Sequence, residues 1–151
     1  MFMKFVNSLK VNLVSIISLA VAVVALTYNT QRAEITEENR NIRFACFEIL
    51  RQTNQLQQLV DHAHYDADLN RGNPIVGWSH VNYINDLGMV VPSTVEGKAK
   101  ELLGEWQKGF TALGQMQTND QRQQSLKANQ DISRAVAELR MSVRDVLNAL
   151  E

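Results

Sequence analysis

The segment VNLVSIISLAVAVVALTY, residues 11–28, contains no charged side chain and few polar ones. As an α-helix, its 18 residues would rise about 27 Å at ~1.5 Å per residue, close to the ~30 Å of a bilayer's hydrocarbon core. The segment therefore predicts one transmembrane helix that anchors the rest of the chain in a membrane.

Residues 1–10 precede this helix as a short tail that carries Lys4 and Lys10. A cleaved signal peptide has the same layout, and residues 20–22 form a small-x-small cleavage site. Cleavage there would leave the apolar residues 23–26 at the new N-terminus, whereas an uncleaved anchor uses the whole segment. We therefore interpret the segment as a retained, single-pass anchor.

The basic residues on the two sides of the anchor bear on its orientation. Lys4 and Lys10 precede it, while Arg32, Arg40 and Arg43 follow it. A short basic tail before the apolar run is typical of a signal anchor whose N-terminus stays inside. This favours a domain outside the membrane, and a domain that faces the cytoplasm is the alternative.

The composition excludes several classes of protein. The 15 Lys and Arg nearly balance the 16 Asp and Glu and are interspersed with them, so the sequence shows no basic face for nucleic acid. Cys46 is the only cysteine, which excludes an intramolecular disulfide and a zinc site of several thiolates. The lack of strand-like alternation predicts an all-α chain with one anchor and one domain.

Beyond the anchor, an apolar side chain recurs every seven residues in a stretch without Gly or Pro. Residues 29–43 carry only this narrow stripe, which predicts a helical stalk that continues the transmembrane helix. From residue 44 the apolar face widens through Phe44 and Phe47, which predicts a bundle domain over residues 44–151. The repeat itself consists of Tyr28, Ile35, Ile42, Ile49 and Leu56.

The same stripe is the predicted interaction surface. It is too narrow for a core but sufficient for a coiled-coil seam, so Ile35, Ile42 and Ile49 are predicted to contact a second copy or a partner helix. Cys46 lies beside this line, and outside the membrane it would meet an oxidising compartment. Mild oxidation is therefore predicted to trap a dimer through Cys46.

The first helix is predicted to end in the polar residues 66–73. Gly72 is expected to take the left-handed conformation there. Asn73 and Pro74 form a cap followed by proline at the first helical position, which predicts the start of a second, shorter helix. That helix is predicted to close at Gly88.

Two capping patterns mark the remaining helices. Ser93 and Glu96 have the spacing of a capping box, and the apolar pattern of the helix that follows runs as far as Met116. Thr118 and Gln121 repeat the capping pattern before a last helix. Short connections and one wide apolar face per helix predict an antiparallel bundle of three to four helices.

Several short motifs are shared with a known group of proteins. They are Tyr28-Asn29-Thr30, residues 37–43 (EENRNIR), Phe47-Glu48 and Gly77-Trp78. Through them about the first 90 residues of the chain resemble small uncharacterised bacterial inner-membrane proteins with a single N-terminal span. The resemblance implies attachment to the bacterial inner membrane, with the bundle in the periplasm in the favoured orientation, and implies no catalytic activity.

The densest cluster of potential metal ligands spans residues 61–68. On a helix His62 shares a face with Asp66 and His64 does not, so no face gathers three strong ligands. The alternative interpretation is that the imidazoles suit the negative end of the helix dipole. We predict no metal and no other cofactor, with His62, His64 and Asp66 as candidate ligands and His80 as a further one.

Two other sets of residues have a functional and a structural interpretation. Trp78 and Trp106 either line a ligand pocket between helices or pack in the core, and helical spacing favours the core. Arg40, Arg43 and Arg51 either recognise an anion or form a solvated face, and the acidic residues among them favour the face.

The sequence contains no glycine-rich phosphate loop and no nucleophile beside an evident histidine, so we predict no enzyme. The favoured hypothesis is a scaffold or regulatory subunit of a larger bacterial envelope assembly. Its expected partners are the lipid bilayer and either another protein or a second copy, without nucleic acid. The alternative is a sensory or small-ligand-binding bundle that signals through a partner.

Overall fold

A computed structural model describes residues 2–66, 68 and 70–150, with side chains described from Asn12 onward. It is 85% helical, and the described residues contain no strand. Four helices follow one another along the chain: α1 (Phe2–His64), α2 (Pro74–Gly88), α3 (Ser93–Gly109) and α4 (Asn119–Ala149). The predicted all-α fold, with a long apolar first helix, is confirmed.

The chain divides into two compact units, Met1–Arg40 and Asn41–Glu151. In the first unit the described side chains from Asn12 to Glu38 are all exposed. This part of α1 includes a window of 18 residues with mean hydropathy 1.9 and none of it buried, so the helix is long and apolar enough to cross a membrane. The side chains of the predicted basic tail, residues 1–10, lie outside the described part.

In the second unit α1 and α4 run antiparallel. Gln57 of α1 donates from Nε2 to Oγ of Ser133 over 2.9 Å. Seven residues later His64 contacts Oγ of Ser125 through Nδ1, at 3.0 Å. Because residue numbers rise along α1 as they fall along α4, the two helices point in opposite directions.

The short helices α2 and α3 complete the bundle, each antiparallel to the helix before it. Gly77 and Gly88 of α2 lie against Trp106 and Ala99 of α3, respectively. Near the end of α3, Gly109 lies against Ala128 of α4. The antiparallel bundle predicted from four apolar faces is therefore present.

Two of the predicted helix starts are confirmed. The side chain of Asn73 accepts a hydrogen bond of 2.9 Å from the amide of Ile75 at the start of α2, and Pro74 is the first helical residue. At the start of α4, Thr118 and Gln121 bond reciprocally as a capping box. Both caps satisfy amides that the first turn of a helix leaves unpaired.

The capping box predicted at Ser93 and Glu96 is wrong. Pro92 is the residue that caps α3, since its carbonyl accepts from the amides of Val95 and Glu96, and Ser93 is already helical. No side chain caps this end. The carboxylate of Glu96 instead pairs with Lys100 one turn later, at 2.5 Å.

The glycine predicted to be left-handed at the end of the first helix is also explained differently. Among the described residues the glycine with positive φ is Gly114, at 75°. Gly72 is needed for space, because a Cβ there would lie 2.5 Å from the backbone nitrogen of Ala63. The turn after α1 therefore packs directly on the helix that precedes it.

The third helix is shorter than its apolar pattern predicted. It ends at Gly109, and the chain turns through residues 110–118 with the positive φ of Gly114. Leu113 is only 2% exposed although it lies in this connection. Leu113 therefore fits the apolar pattern because this loop is buried, and not because α3 continues.

The centre of the core is Trp106, whose side chain is fully buried as predicted. Its ring lies 6.4 Å from that of Trp78 in an edge-to-face arrangement and 6.3 Å from that of Phe110. A Cβ at Gly77 would lie 2.2 Å from Cη2 of Trp106, so only glycine fits between α2 and the indole. Trp106 is a core residue and does not line an open pocket.

Replacing Trp106 by alanine should lower the free energy of unfolding by about 3 to 5 kcal/mol, because the bundle cannot collapse around so large a void. Urea titration of the full chain in mild detergent, followed by circular dichroism, measures the change. Gln107→Ala, at the exposed neighbouring position, is the matched control. An unchanged midpoint in Trp106→Ala would contradict the assignment of the indole to the core.

Candidate functional site

The residues suggested as metal ligands are not brought together. Nδ1 of His62 lies 2.7 Å from Oδ2 of Asp66 on the same helix, whereas His64 contacts Ser125 of α4. His80 lies on α2 and contacts Gln52. Within the described part of the chain, no group of three His, Cys, Asp or Glu side chains is placed to hold a metal ion.

A chain of polar side chains joins α1 to α2. The Glu48 carboxylate accepts from Arg51 at 2.6 Å and from Nε2 of Gln52 at 2.8 Å. Because this carboxylate can only accept, the Gln52 amide must turn its NH₂ towards Glu48. Its oxygen then accepts from Nδ1 of His80 at 2.7 Å, which places the proton of the imidazole on Nδ1.

Three pKa values shift among these side chains, in ways that match the contacts, and the hydrogen bond to Glu48 raises the pKa of Arg51. The hydrogen bonds from Arg51 and Gln52 lower the pKa of Glu48. Burial lowers the pKa of His80 below its ordinary value of 6.5. The fold therefore favours a carboxylate at Glu48 and a neutral imidazole at His80.

Polar side chains also connect α1 to α4 through contacts that the sequence did not predict. Arg140 is half-buried and donates to the carbonyl of Leu50 at 3.3 Å and to Oγ1 of Thr53 at 3.2 Å. Arg43 donates to the carbonyl of Leu150 at the end of α4. One feature of the sequence could have predicted such a contact: a polar residue, Thr53, on the apolar face of the first helix.

Seven of the thirteen lysine and arginine side chains described from Asn12 onward form an ion pair with a carboxylate. Six form none with a described residue: Arg32, Arg122 and Lys127, and the three on the α1/α4 side, Arg43, Arg140 and Arg144. The paired ones are Arg40, Arg51, Arg71, Lys98, Lys100, Lys108 and Arg134.

The seven-residue stripe does not form one continuous interaction surface. Ile49 is fully buried in the bundle, and Ile42 is half-buried against the same core, because α4 and the other helices cover this face. Both were predicted to contact a partner, and this assignment is corrected for Ile49. Tyr28 and Ile35 remain 62% and 59% exposed.

Cys46 is corrected for the same reason. Its side chain is fully buried, and burial raises the pKa of its thiol, which disfavours the reactive thiolate. A disulfide between two copies of the folded chain needs an accessible sulfur atom. The predicted oxidative dimer is therefore incompatible with the folded bundle.

The aromatic residues that seemed to widen the first helix's apolar face lie outside the core. Phe44 is 67% exposed and Phe47 is 62% exposed. They are three residues apart on α1, so their side chains occupy neighbouring positions on one surface of the helix. The core is built without them, from Ala45, Cys46 and Ile49 in the same turns.

A groove of about 540 Å³ lies between α3 and α4. Its volume falls within the ~300–1,000 Å³ typical of small-molecule sites. Such sites are mostly apolar, whereas charged side chains line this groove, among them Lys108, Lys127, Asp131 and Arg134. Two of these already pair with each other, since Arg134 lies 2.6 Å from Asp131.

Comparisons of the chain with models of protein families, with curated proteins and with solved structures found no match.

The pH dependence of stability should report on His80. Below its ordinary pKa of 6.5, the unfolded chain binds a proton that the folded chain resists, so the free energy of unfolding should fall as the pH drops from about 7 to about 5. His80→Gln keeps a donor for Gln52 but does not titrate, and should flatten this part of the curve. Urea titrations at several pH values measure the free energy of unfolding of both proteins. If its slope against pH is the same in His80→Gln as in the wild type, the effect belongs to other groups.

Pairing of stalks through Tyr28 and Ile35 stays a prediction. If two parallel copies meet along this line, Ile35→Asp should abolish the dimer, because two carboxylates would face each other in the seam. Amine-reactive crosslinking of the full chain in membranes measures the dimer. Ala33→Asp, which adds the same charge about 160° around the helix, should leave it intact; equal behaviour of the two variants would exclude this seam.

Proposed function

We propose that the protein is an interaction subunit, anchored by α1 in a bacterial inner membrane, whose periplasmic bundle binds a protein partner and scaffolds or regulates an envelope assembly. The observation that carries this proposal is the exposure of Phe44 and Phe47 on the surface of a bundle whose core is built without them.

Two exposed phenylalanines on one helix surface are unfavourable for an isolated domain. Burying one such side chain is worth about 1.5 to 3 kcal/mol, which folding of this chain leaves unused. Aromatic side chains commonly anchor protein interfaces, because they bury a large area with few rotatable bonds. The pair is therefore best explained as contact surface for another molecule.

Membrane attachment is supported by the apolar window of α1, none of which is buried by the protein itself. The choice of compartment rests on the short basic tail and on the resemblance of the N-terminal motifs to bacterial inner-membrane proteins. In this arrangement the anchor restricts the bundle to the membrane surface, where a partner held in the same membrane meets it at high effective concentration.

The proposal is tested by purifying the full chain from native membranes in mild detergent and weighing the particle by native mass spectrometry. We expect a stoichiometric partner protein or a defined homo-oligomer. Replacing Phe44 and Phe47 together by alanine should dissociate this complex, because the aromatic contact area is lost.

The matched control is Tyr65→Ala, which removes an aromatic side chain that is 72% exposed in the turn after α1. It should keep the complex. A wild-type protein that is monomeric and without a stoichiometric partner would overturn the proposal.

A further inference from the structure

On the outer side of the bundle, where α1 meets α4, several side chains neither pack in the core nor form ion pairs with described residues. We call this surface the arginine seam and define it by Arg43, Phe47 and Leu50 of α1 and Arg140 and Arg144 of α4. Contacts at its two ends give its register: Arg43 donates to the carbonyl of Leu150, and Arg140 donates to that of Leu50.

Between these two contacts the helices place Phe47 and Arg144 at the same level. Phe47 lies one turn after Arg43 and one turn before Leu50, and Arg144 lies one turn after Arg140 towards the end of α4. Because the helices are antiparallel, both residues fall in the middle of the seam. Phe47 is 62% exposed, and Arg144 is exposed as well.

The seam carries positive charge that no described carboxylate neutralises. Two acids adjoin residues of the seam in sequence. Glu48 follows Phe47 and pairs with Arg51, and Asp145 follows Arg144 and projects about 100° around α4 from it. Two of the guanidinium groups are also held in place, since Arg43 and Arg140 donate to main-chain carbonyls. Held cations lose less entropy on binding an anion than mobile ones.

We propose that the arginine seam binds an acidic, amphipathic segment of a partner protein; this inference rests on the proposed interaction function. Carboxylates of the segment would pair with Arg140 and Arg144, and its apolar side chains would cover Phe47. Arginine suits this role because its planar guanidinium matches a carboxylate with two hydrogen bonds.

The spacing of the charges favours an extended acidic segment over a single anionic group. Arg43 and Leu50 are seven residues apart, so the cations at the two ends of the seam are separated by roughly 10 Å along the helix axis. One phosphate cannot contact both ends, whereas acidic residues seven apart on a helix can. Charge complementarity therefore points to a peptide segment.

The test uses the full chain in nanodiscs of phosphatidylcholine and a fluorescein-labelled helical peptide with Glu and Leu at three- and four-residue spacing. A reference peptide has Gln in place of every Glu. Fluorescence anisotropy should show tighter binding of the Glu peptide, weakened by added salt because the contacts are exposed ion pairs.

Variants of the chain locate the binding. Arg144→Gln should weaken binding of the Glu peptide about fivefold, as expected for the loss of one exposed charge pair. Phe47→Ala should weaken its binding about tenfold, because apolar contact is lost. Lys127→Gln is the matched control, since it removes one positive charge from the exposed surface of the same helix on its α3 side. It should change the affinity less than twofold, which is less than about 0.4 kcal/mol.

Three results would overturn the seam as a peptide site. The first is equal binding of the Glu and Gln peptides, and the second is equal effects of Arg144→Gln and Lys127→Gln. The third is displacement of the peptide by phosphatidylglycerol vesicles that bind with the same dependence on Arg144, which would make the seam a lipid contact.

The outcome is separable from that of the proposed function. If the complex from native membranes is lost when Phe44 and Phe47 are replaced but survives Arg144→Glu, the interaction function stands and the arginine seam is excluded. If the wild-type chain has no partner, the interaction function itself fails.

Discussion

Burial of the Trp106 indole is the constraint on which the packing of this bundle depends. A tryptophan buries about 150–250 Å², worth roughly 4 to 6 kcal/mol at ~25 cal/mol per Å². Its Nε1 has no hydrogen-bond partner among the described residues, which costs about 1 to 3 kcal/mol. The burial term is larger, so the site remains favourable, and Gly77 provides the space that the ring requires.

Apolar contacts around this ring are not directional, and the register of the long helices depends on polar side chains between them. Gln57 with Ser133, and His64 with Ser125, set the level at which α1 meets α4. A shift of one turn would leave these buried or half-buried groups unpaired, at a cost comparable to their desolvation. The polar contacts therefore select one alignment of surfaces that are otherwise tolerant of sliding.

The same alignment determines the outer surface of the bundle. One side of α1 supplies Ile49 and its neighbours to the core, while Phe44 and Phe47 of the same turns stay exposed. The net charge of the whole chain is only −1, yet the cations of the arginine seam form no ion pair with a described carboxylate. A nearly neutral protein can thus present a locally positive, aromatic surface, and such local fields govern which partners approach.

The sequence by itself determined the all-α class, the apolar anchor, and the helix starts at Asn73 and Thr118, because periodicity, hydropathy and capping depend on residues close together in the chain. It also predicted Trp106 in the core. It misplaced Phe44, Phe47, Ile49 and Cys46, because a seven-residue repeat does not predict which face of the helix the other helices of the bundle will cover. Tertiary packing decided that choice, the end of α3 at Gly109 and the meeting of Arg140 with Thr53, because each depends on contacts between helices. Arg140 and Thr53, for example, are 87 positions apart in the chain.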